Sequence, residues 1–420
     1  MLNDAPHLAT NPGIFAAARS GADAGAFTSP FAHCEVFDDI ERARASWTEI
    51  EGLARVSPYQ GYDFLETWVR TTGRARAIQP MIIVARDRAG RIAALLPLGR
   101  SRRGPVWVAE FLGGADANFR MGLFRQDLNI GSEAIIDLLR RAARMTAPPV
   151  DVFWLTNQPL SWQDAANPMV ALPRRPSPSF GHKSALTRDF DGWLKSHHSK
   201  EAQRKLRKKE RRLNEIGRLS YVIAQDEASA RKILAAFLDQ KAARMRALGA
   251  ANPYEPAHTA RFFDIAATEN IALGRPILQL HALMCGARIV ATFGALAQAD
   301  RLCGMFISYD PDPEISRCSP GQLLILETIR DLSAQGIATF DLGVGEARYK
   351  DENCEAEEPL FDAVVAVTPI GLAFGSAALL QRRIKRWAKR TPWAWRLADG
   401  LRQSAFRLRD GRRARQNHAP

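Results

Sequence analysis

One stretch, residues 319–350, constrains the fold more than any other part of the 420-residue sequence. Its Ser-Pro-Gly opening at 319–321 predicts a helix start, because a proline in the first helical turn needs no amide partner. Apolar residues then recur at helical spacing until Gly336, which tolerates the backbone conformation that ends a helix. Residues 337–342 predict a short buried strand, which the following glycines end. The predicted unit is therefore a turn, a helix, a strand and a glycine-rich loop after the strand, which we call the glycine-rich exit.

The start of this helix has two interpretations. Unpaired amides and the positive end of the helix dipole make a helix N-terminus a suitable place for phosphate. Glycine at the third position lets a ligand approach the backbone closely. The candidate pyrophosphate-binding residues are Ser319, Pro320, Gly321, Gln322 and Leu323. The alternative is ordinary capping by the Ser319 side chain, and the motif alone does not decide between the two.

The same stretch carries a resemblance to a known family. The matching residues are 318–324, Gly336, 340–342, Gly345, Glu346, Tyr349 and Lys350. They resemble the acetyltransferase-like domain of CelD-type cellulose-biosynthesis proteins, which belongs to the GNAT superfamily and is related to the FemAB peptidyltransferases. The resemblance covers residues 180–370 well and residues 35–175 more loosely.

The resemblance implies an α/β fold with two GNAT-like lobes, each a mixed twisted sheet flanked by helices, and a basic C-terminal helical tail. The predicted parts are a disordered leader (1–34), an N-terminal lobe (35–166), a proline-rich linker (167–179), a C-terminal acyltransferase domain (180–370) and the tail (371–420). Local patterns further predict a first helix at 37–56 and a late strand at 361–368, which the boundaries assign to the C-terminal domain.

In GNAT proteins the helix after the central strand binds the CoA pyrophosphate, and the resemblance places residues 319–323 there. It therefore implies acetyl-CoA or another acyl-CoA as co-substrate and no metal. The usual GNAT signature, Gln/Arg-x-x-Gly-x-Gly/Ala, is represented here only by Gly321 and the helix start. FemAB relatives with similar divergence use aminoacyl-tRNA instead, so that alternative stays open.

Four reactive side chains follow the predicted strand within ten residues: Asp341, Glu346, Tyr349 and Lys350. Acyl transfer needs a base for the acceptor, stabilisation of the carbonyl oxygen and a proton for the leaving group. Asp341 and Glu346 are candidate bases, although a carboxylate at a strand end is often structural. Lys350 is a candidate oxyanion donor or a contact for an acidic acceptor, with an ordinary surface lysine as the alternative. Tyr349 either acts as an acid or packs.

Composition excludes several other classes of protein. Five cysteines lie far apart without a CxxC pair, so neither a zinc site nor a disulfide framework is predicted, and a reducing cytoplasm fits. No apolar run is long enough to predict a transmembrane helix. An apolar fraction of 46% permits sizeable cores.

The net charge of +13 is concentrated at the C-terminus. Residues 381–420 hold thirteen Lys or Arg and two Asp, a net of +11, which leaves +2 for the rest of the chain. Apolar residues of this tail share one helical face: Ala377, Leu380, Ile384, Trp387 and Ala388. A basic amphipathic helix with tryptophans predicts weak contact between residues 381–420 and an anionic membrane surface. The alternative is a helix packed on the C-terminal domain, and RNA binding is a third option.

Residues 199–216 predict a second basic element, a helix with eight Lys or Arg and three Glu. A solvated charged face is one interpretation, and a face for an anionic partner such as CoA phosphate, nucleic acid or a polyanionic sugar is the other. No aromatic residues alternate with the charges, so a platform for single-stranded nucleic acid is not indicated.

Together these observations predict a cytoplasmic acyltransferase, peripheral at the inner face of the membrane if the tail binds lipid. It would move an acyl group, acetyl by resemblance, from CoA to an amine or hydroxyl of a small molecule or saccharide, for example an exopolysaccharide precursor. Two alternatives remain. One is a FemAB-type transferase that uses aminoacyl-tRNA. The other is a non-catalytic scaffold at the membrane beside a polysaccharide synthase.

Overall fold

The computed structural model of the chain describes residues 29–391, apart from the side chains of residues 389 and 390. The predicted leader up to residue 28 and the predicted tail beyond residue 391 lie outside these residues. The first strand already begins at His33, within the last residues of the predicted leader. No helix in the described part of the chain combines the length and apolar character needed to cross a bilayer.

The first half of the chain builds the N-terminal lobe. Its strands are β1 (His33–Phe37), β2 (Gln79–Arg86), β3 (Ile92–Arg103), β4 (Val106–Phe111), β5 (Leu123–Phe124) and β6 (Val152–Pro159). Its helices are α1 (Arg44–Glu51), α2 (Tyr62–Trp68) and α3 (Ser132–Arg144). A small hairpin of β7 (Ser161–Trp162) and β8 (Ala165–Ala166) follows, and then the short strand β9 (Arg174–Pro176).

The second half builds the C-terminal lobe and returns to the first. Its strands are β10 (Gly181–Ala185), β11 (Leu219–Ile223), β12 (Gln279–Cys285), β13 (Arg288–Gln298), β14 (Arg301–Tyr309), β15 (Thr339–Val344), β16 (Ala356–Glu358) and β17 (Leu360–Ala366). Its helices are α4 (Phe190–His197), α5 (Lys200–Ile216), α6 (Glu227–Ala247), α7 (Ala257–Thr268), α8 (Pro313–Ser316), α9 (Pro320–Gln335), α10 (Arg348–Asp351) and α11 (Pro369–Arg390).

Each lobe is organised around one mixed sheet. The first has the order β1-β2-β3-β4-β6-β17-β9, with β5 paired to β3, and the second has the order β11-β12-β13-β14-β15-β10-β16. The parallel pair is β4–β6 in the first sheet and β14–β15 in the second, and the other pairs are antiparallel. Helices lie against both sheets. The predicted α/β class with two GNAT-like lobes is confirmed.

The strand predicted at 361–368 forms, but in the other sheet. β17 pairs with β6 in the N-terminal lobe, where Val364 lies opposite Trp154. Its other neighbour is β9, which lies inside the region predicted as a proline-rich linker. An apolar run predicts a strand but not its partner, because the partner is chosen by packing between distant segments. Ala363 and Val365 are buried in the core of the first lobe.

The helix predicted at 37–56 is shorter than expected. Phe37 is still the last residue of β1, and the helical part starts with a turn at Glu41–Ala43 before α1 begins. The carboxylate of Asp39 accepts a hydrogen bond from the Glu41 amide at 2.9 Å, which stabilises this turn. Aspartate at such a position competes with a continuous helix by bonding to a nearby backbone amide.

A buried guanidinium joins the two lobes. Arg301, in the first position of β14, donates to Asp341 and to Glu358, each at 2.6 Å. Its guanidinium carbon lies 4.1 Å from the centroid of the Trp162 ring and 5.5 Å from that of Phe119, both on the N-terminal side of the junction. Burial raises the pKa of Asp341, and the charge of Arg301 opposes that rise. The positive charge of Arg301 therefore offsets the cost of burying the two carboxylates in the folded core.

We expect Arg301→Met to lower the free energy of unfolding by about 3–5 kcal/mol, because it leaves buried carboxylates without their cation. With the cation gone, the pKa of Asp341 rises further above its unfolded value. The folded state then binds a proton that the unfolded chain does not, so the loss should be smaller near pH 5 than near pH 8. Urea denaturation at the two pH values measures both effects.

The matched control is Arg231→Met, which removes a half-exposed arginine that pairs with the exposed carboxylates of Glu227 and Asp264. Surface ion pairs of this kind contribute below about 1 kcal/mol. Equal losses in the two variants, or a loss for Arg301→Met that does not depend on pH, would show that the guanidinium is not the cation on which the junction depends.

Candidate active site

Two parallel strands separate in the middle of the C-terminal sheet. β14 and β15 pair only from Arg301 opposite Thr339 to Cys303 opposite Asp341. Beyond that point β14 remains paired with β13 as far as Tyr309, and β15 remains paired with β10 as far as Val344. The carboxyl ends of the two strands therefore diverge, which leaves a gap between them in the sheet.

A side chain of the N-terminal lobe occupies the point where the strands part. Asn118 donates to the Gly304 carbonyl at 3.0 Å and accepts from the Val344 amide at 3.3 Å. It also donates to the hydroxyl of the fully buried Tyr59 at 2.8 Å. The first backbone groups that lose their strand partner are therefore still hydrogen-bonded. Buried backbone N–H and C=O groups generally need such partners. The gap is thus held open by the neighbouring lobe.

Helix α9 begins at the end of this gap, as the Ser-Pro-Gly motif predicted. Ser319 adopts a left-handed conformation with φ of 52°, and its side chain does not cap the helix. Instead, the Ser319 hydroxyl accepts a hydrogen bond from Lys209 of α5 at 2.8 Å. Capping by the Ser319 side chain, the alternative interpretation of the motif, is wrong. The serine places a basic side chain at a helix start.

The five predicted residues at this helix start differ in their surroundings. The amides of Gln322 and Leu323 both bond to the Ser319 carbonyl, whereas the Gly321 amide has no acceptor among the described residues. A Cβ on Gly321 would find its nearest atoms at 3.6 Å, in Ile307 and Tyr309 of β14. The Gln322 side chain pairs with Asn353, and the Leu323 side chain is buried in the core. Gly321, directly after Pro320 and beside β14, is therefore the predicted residue whose amide has no acceptor among the described residues.

The four candidates of the glycine-rich exit are not one cluster. Asp341 is completely buried, and it bonds to Arg301 and to the Gly343 amide at 2.6 Å. Lys350 is also buried and donates to the carbonyls of Gly343 and Val344 at 3.2 and 3.1 Å. Glu346 is exposed in the loop between them. Asp341 thus lies beneath the gap, and Lys350 holds the end of β15.

Tyr349 lies near the gap from the side of α9. It is half-buried and packs at the edge of the core formed by α9 and the sheet. Burial raises the pKa of Tyr349, with a further increase from Cys354 and Tyr254 and a decrease from Arg244. The phenol is therefore protonated at neutral pH.

A basic and aromatic cluster near the end of α6 was not predicted. Arg244 of α6 lies over the Tyr309 ring at 5.2 Å, and Lys241 lies over the Tyr254 ring at 5.5 Å. Burial, with a smaller effect of Arg244, lowers the pKa of Lys241 to about 8. No ion pair joins either cation to a carboxylate in residues 29–391. The sequence gives little signal here, because Lys241, Tyr254 and Tyr309 are far apart along the chain.

His182 of β10 was also missed. It is buried, lies opposite Gly343 in the strand pairing, and places Nδ1 3.7 Å from the Asp351 carboxylate. Burial and the charge of Lys350 lower the pKa of His182, so its imidazole is neutral at neutral pH. In the described part of the chain, no group of three or more His, Cys, Asp or Glu is arranged to hold a metal ion.

Comparison with known proteins agrees with this geometry. Residues 200–351 match the family model of the acetyltransferase (GNAT) domain, which spans the chain from α5 to α10 and contains the gap and the start of α9. No curated protein matches the sequence.

Solved structures share the fold at low sequence identity. FemX has a TM-score of 0.54 at 9% identity, covering 82% of this chain and 100% of that chain. A conserved protein of unknown function from Bacteroides thetaiotaomicron has a TM-score of 0.51 at 12% identity, covering 79% and 100%. A tandem GNAT protein from the clavulanic acid biosynthesis pathway has a TM-score of 0.44 at 10% identity, covering 80% and 99%. Residues 200–351 thus match the model of a GNAT acetyltransferase domain, and they lie within a two-lobed fold similar to that of FemX.

Proposed function

We propose that this protein is an acyltransferase that moves an acyl group, acetyl in the simplest case, from acyl-CoA to an amine or hydroxyl of an anionic acceptor. The observation that carries the proposal is the start of α9, where the Gly321 amide and the Lys209 ammonium lie together at the end of the gap. A helix N-terminus with an adjacent cation suits a diphosphate. The edge of β14 beyond Gly304, where β15 no longer pairs with it, offers backbone partners to the amides of the pantetheine arm.

The chemistry needs two proton transfers. The acceptor nitrogen or oxygen attacks the thioester carbonyl, the C–S bond breaks, and the departing thiolate takes a proton. We assign that proton to Tyr349, whose burial keeps the phenol protonated. Glu346 is the proposed base, since it is the exposed carboxylate of the exit loop. The engaged oxygens of Asp341 suit a structural role, and Lys350 positions the backbone that borders the gap.

The acceptor side is proposed at the Lys241 and Arg244 cluster. These two cations lie over tyrosine rings and have no carboxylate partner within residues 29–391. They favour a substrate that carries negative charge and an apolar or sugar face. A phosphorylated or otherwise acidic sugar, such as an activated exopolysaccharide precursor, has this chemistry.

A second candidate is an aminoacyl transferase that takes its acyl group from charged tRNA. The observation that favours it is the outer face of α5, whose exposed basic residues are Arg204, Lys205, Arg207, Lys208, Arg211 and Arg212. Such a face attracts a nucleic-acid backbone through its phosphates. The overall fold similar to FemX is compatible with both candidates.

The diphosphate site is tested by CoA binding. Gly321→Glu should abolish binding, because it adds bulk and negative charge where the phosphate would lie. Lys209→Met should weaken binding about tenfold, as expected for one charge-assisted hydrogen bond. Lys208→Met is the matched control, since Lys208 is exposed on the same helix and should leave affinity unchanged. Isothermal titration calorimetry measures all four proteins. If Gly321→Glu binds CoA with wild-type affinity, the diphosphate site is not at this helix start. Binding of tRNA without binding of CoA would favour the second candidate.

The proton donor is tested by turnover. Tyr349→Phe should lower kcat about 100-fold, the usual scale for a general acid, while CoA affinity stays the same. Release of free thiol from acetyl-CoA, measured with a panel of amines and amino sugars with and without phosphate, provides the readout. Tyr62→Phe, a change in the N-terminal lobe, is the control and should retain full kcat. If the kcat of Tyr349→Phe stays within a few-fold of the wild-type value, the tyrosine is not the proton donor. Glu346→Gln and Asp341→Asn, assayed in parallel, rank the two carboxylates.

The acceptor site is tested by KM and its pH dependence. Lys241→Met and Arg244→Met should each raise KM for an anionic acceptor about tenfold and leave KM for acetyl-CoA unchanged. Since the pKa of Lys241 is about 8, its charge is present below that pH and lost above it. KM for the acceptor should therefore rise between about pH 7 and pH 9 in the wild type, and less so in Lys241→Met. Lys232→Met, exposed on the same helix, is the control. A preference for neutral acceptors in the wild type would contradict the assignment.

A further inference from the structure

Helix α11 has an unusual distribution of large and small residues. Its inner face lies on the first sheet, against β4, β6 and β17. The buried residues of this contact are small, namely Gly371, Gly375 and Ala378, and Phe374 packs beside them against Trp154. A Cβ on Gly375 would lie 2.6 Å from Val364, so the close approach to β17 requires glycine. At the end of the contact, Arg382 forms an ion pair with the buried Asp362. The helix is therefore fixed to the N-terminal lobe rather than to the C-terminal domain.

The opposite face of α11 carries the large apolar residues. We call this face the outer stripe, and its members, spaced alternately by three and four residues, are Ile370, Ala373, Ala377, Leu380, Ile384 and Trp387. The exposed fractions are 58% for Leu380, 56% for Ile384 and 54% for Trp387. A surface helix ordinarily buries its large apolar residues and exposes polar ones. Here packing on the sheet is achieved by small residues and Phe374, while the outer stripe stays exposed.

Positive charge borders the outer stripe. From Gln381 to the end of α11 the sequence has six Lys or Arg and no Asp or Glu. Arg383 and Lys385 are exposed on either side of Ile384, and Arg382 forms the ion pair with Asp362. The face thus combines apolar side chains, a tryptophan and flanking cations.

We propose that the outer stripe docks on a membrane surface that contains anionic lipid, with α11 lying parallel to the bilayer plane. Apolar residues would enter the boundary between headgroups and acyl chains, and the flanking cations would bind lipid phosphates. A second copy of the chain fits less well, because two identical stripes would bring like charges together and α11 has no carboxylate to pair with them. Nucleic acid would use the cations but not the apolar residues.

Co-sedimentation of the full chain with vesicles tests this proposal. The wild type should bind vesicles of phosphatidylcholine mixed with phosphatidylglycerol, should bind pure phosphatidylcholine vesicles weakly, and should be released by salt. The double variant Leu380→Gln/Ile384→Gln should reduce vesicle binding about tenfold or more, since it removes two apolar anchors. Arg383→Gln/Lys385→Gln should reduce both the binding and its dependence on salt.

The matched control is Leu273→Gln, which replaces a leucine that is 66% exposed at a distant turn and should bind vesicles as the wild type does. Because the substituted side chains are exposed, melting temperatures should stay unchanged. Wild-type binding by Leu380→Gln/Ile384→Gln, or no binding of the wild type to the anionic vesicles, would overturn the proposal. A dimer in light scattering that the double variant dissociates would instead assign the stripe to a second copy.

Discussion

The buried guanidinium of Arg301 holds together the part of the molecule on which the candidate site depends. It binds Asp341 of β15 and Glu358 of β16, and its flat faces rest on aromatic rings from the N-terminal side. Without that charge, two carboxylates would be buried without a cation at the point where the sheets meet. The gap between β14 and β15 begins directly beyond this ion cluster. The ion cluster and the gap are therefore neighbouring parts of the same pair of strands, β14 and β15.

The N-terminal lobe contributes to the site without supplying a reactive group. Asn118 and Tyr59 satisfy the Gly304 carbonyl and the Val344 amide, which have lost their strand partners. An unpaired buried backbone group is costly, so strands that diverge need such partners to remain apart. In this chain the partners come from the other lobe. The two-lobed arrangement is thus a physical condition for the gap.

Local chemistry made much of the fold predictable. Proline at the start and glycine at the end defined α9 nearly to the residue, since both act through their own backbone conformation. The partner of β17 could not be predicted, because an apolar run has no information about which sheet will accept it. In the candidate site, too, local features could be predicted and contacts between distant segments could not. Gly321 was predicted from its motif. Two other contacts exist only after folding: the ion pair between Asp341 and Arg301, which is forty residues away, and the contact of Lys241 with the Tyr254 ring.

The placement of β17 has a consequence for how the protein is made. The first sheet needs a strand at 360–366 to cover β6, which ends at residue 159, so the ribosome must produce about two hundred further residues before that edge is closed. Until then β6 presents free N–H and C=O groups, a surface that invites pairing with other nascent chains. Closure of so long a loop is also slow compared with local folding. Translation speed and chaperone supply should therefore govern the yield of this protein more strongly than its final stability does.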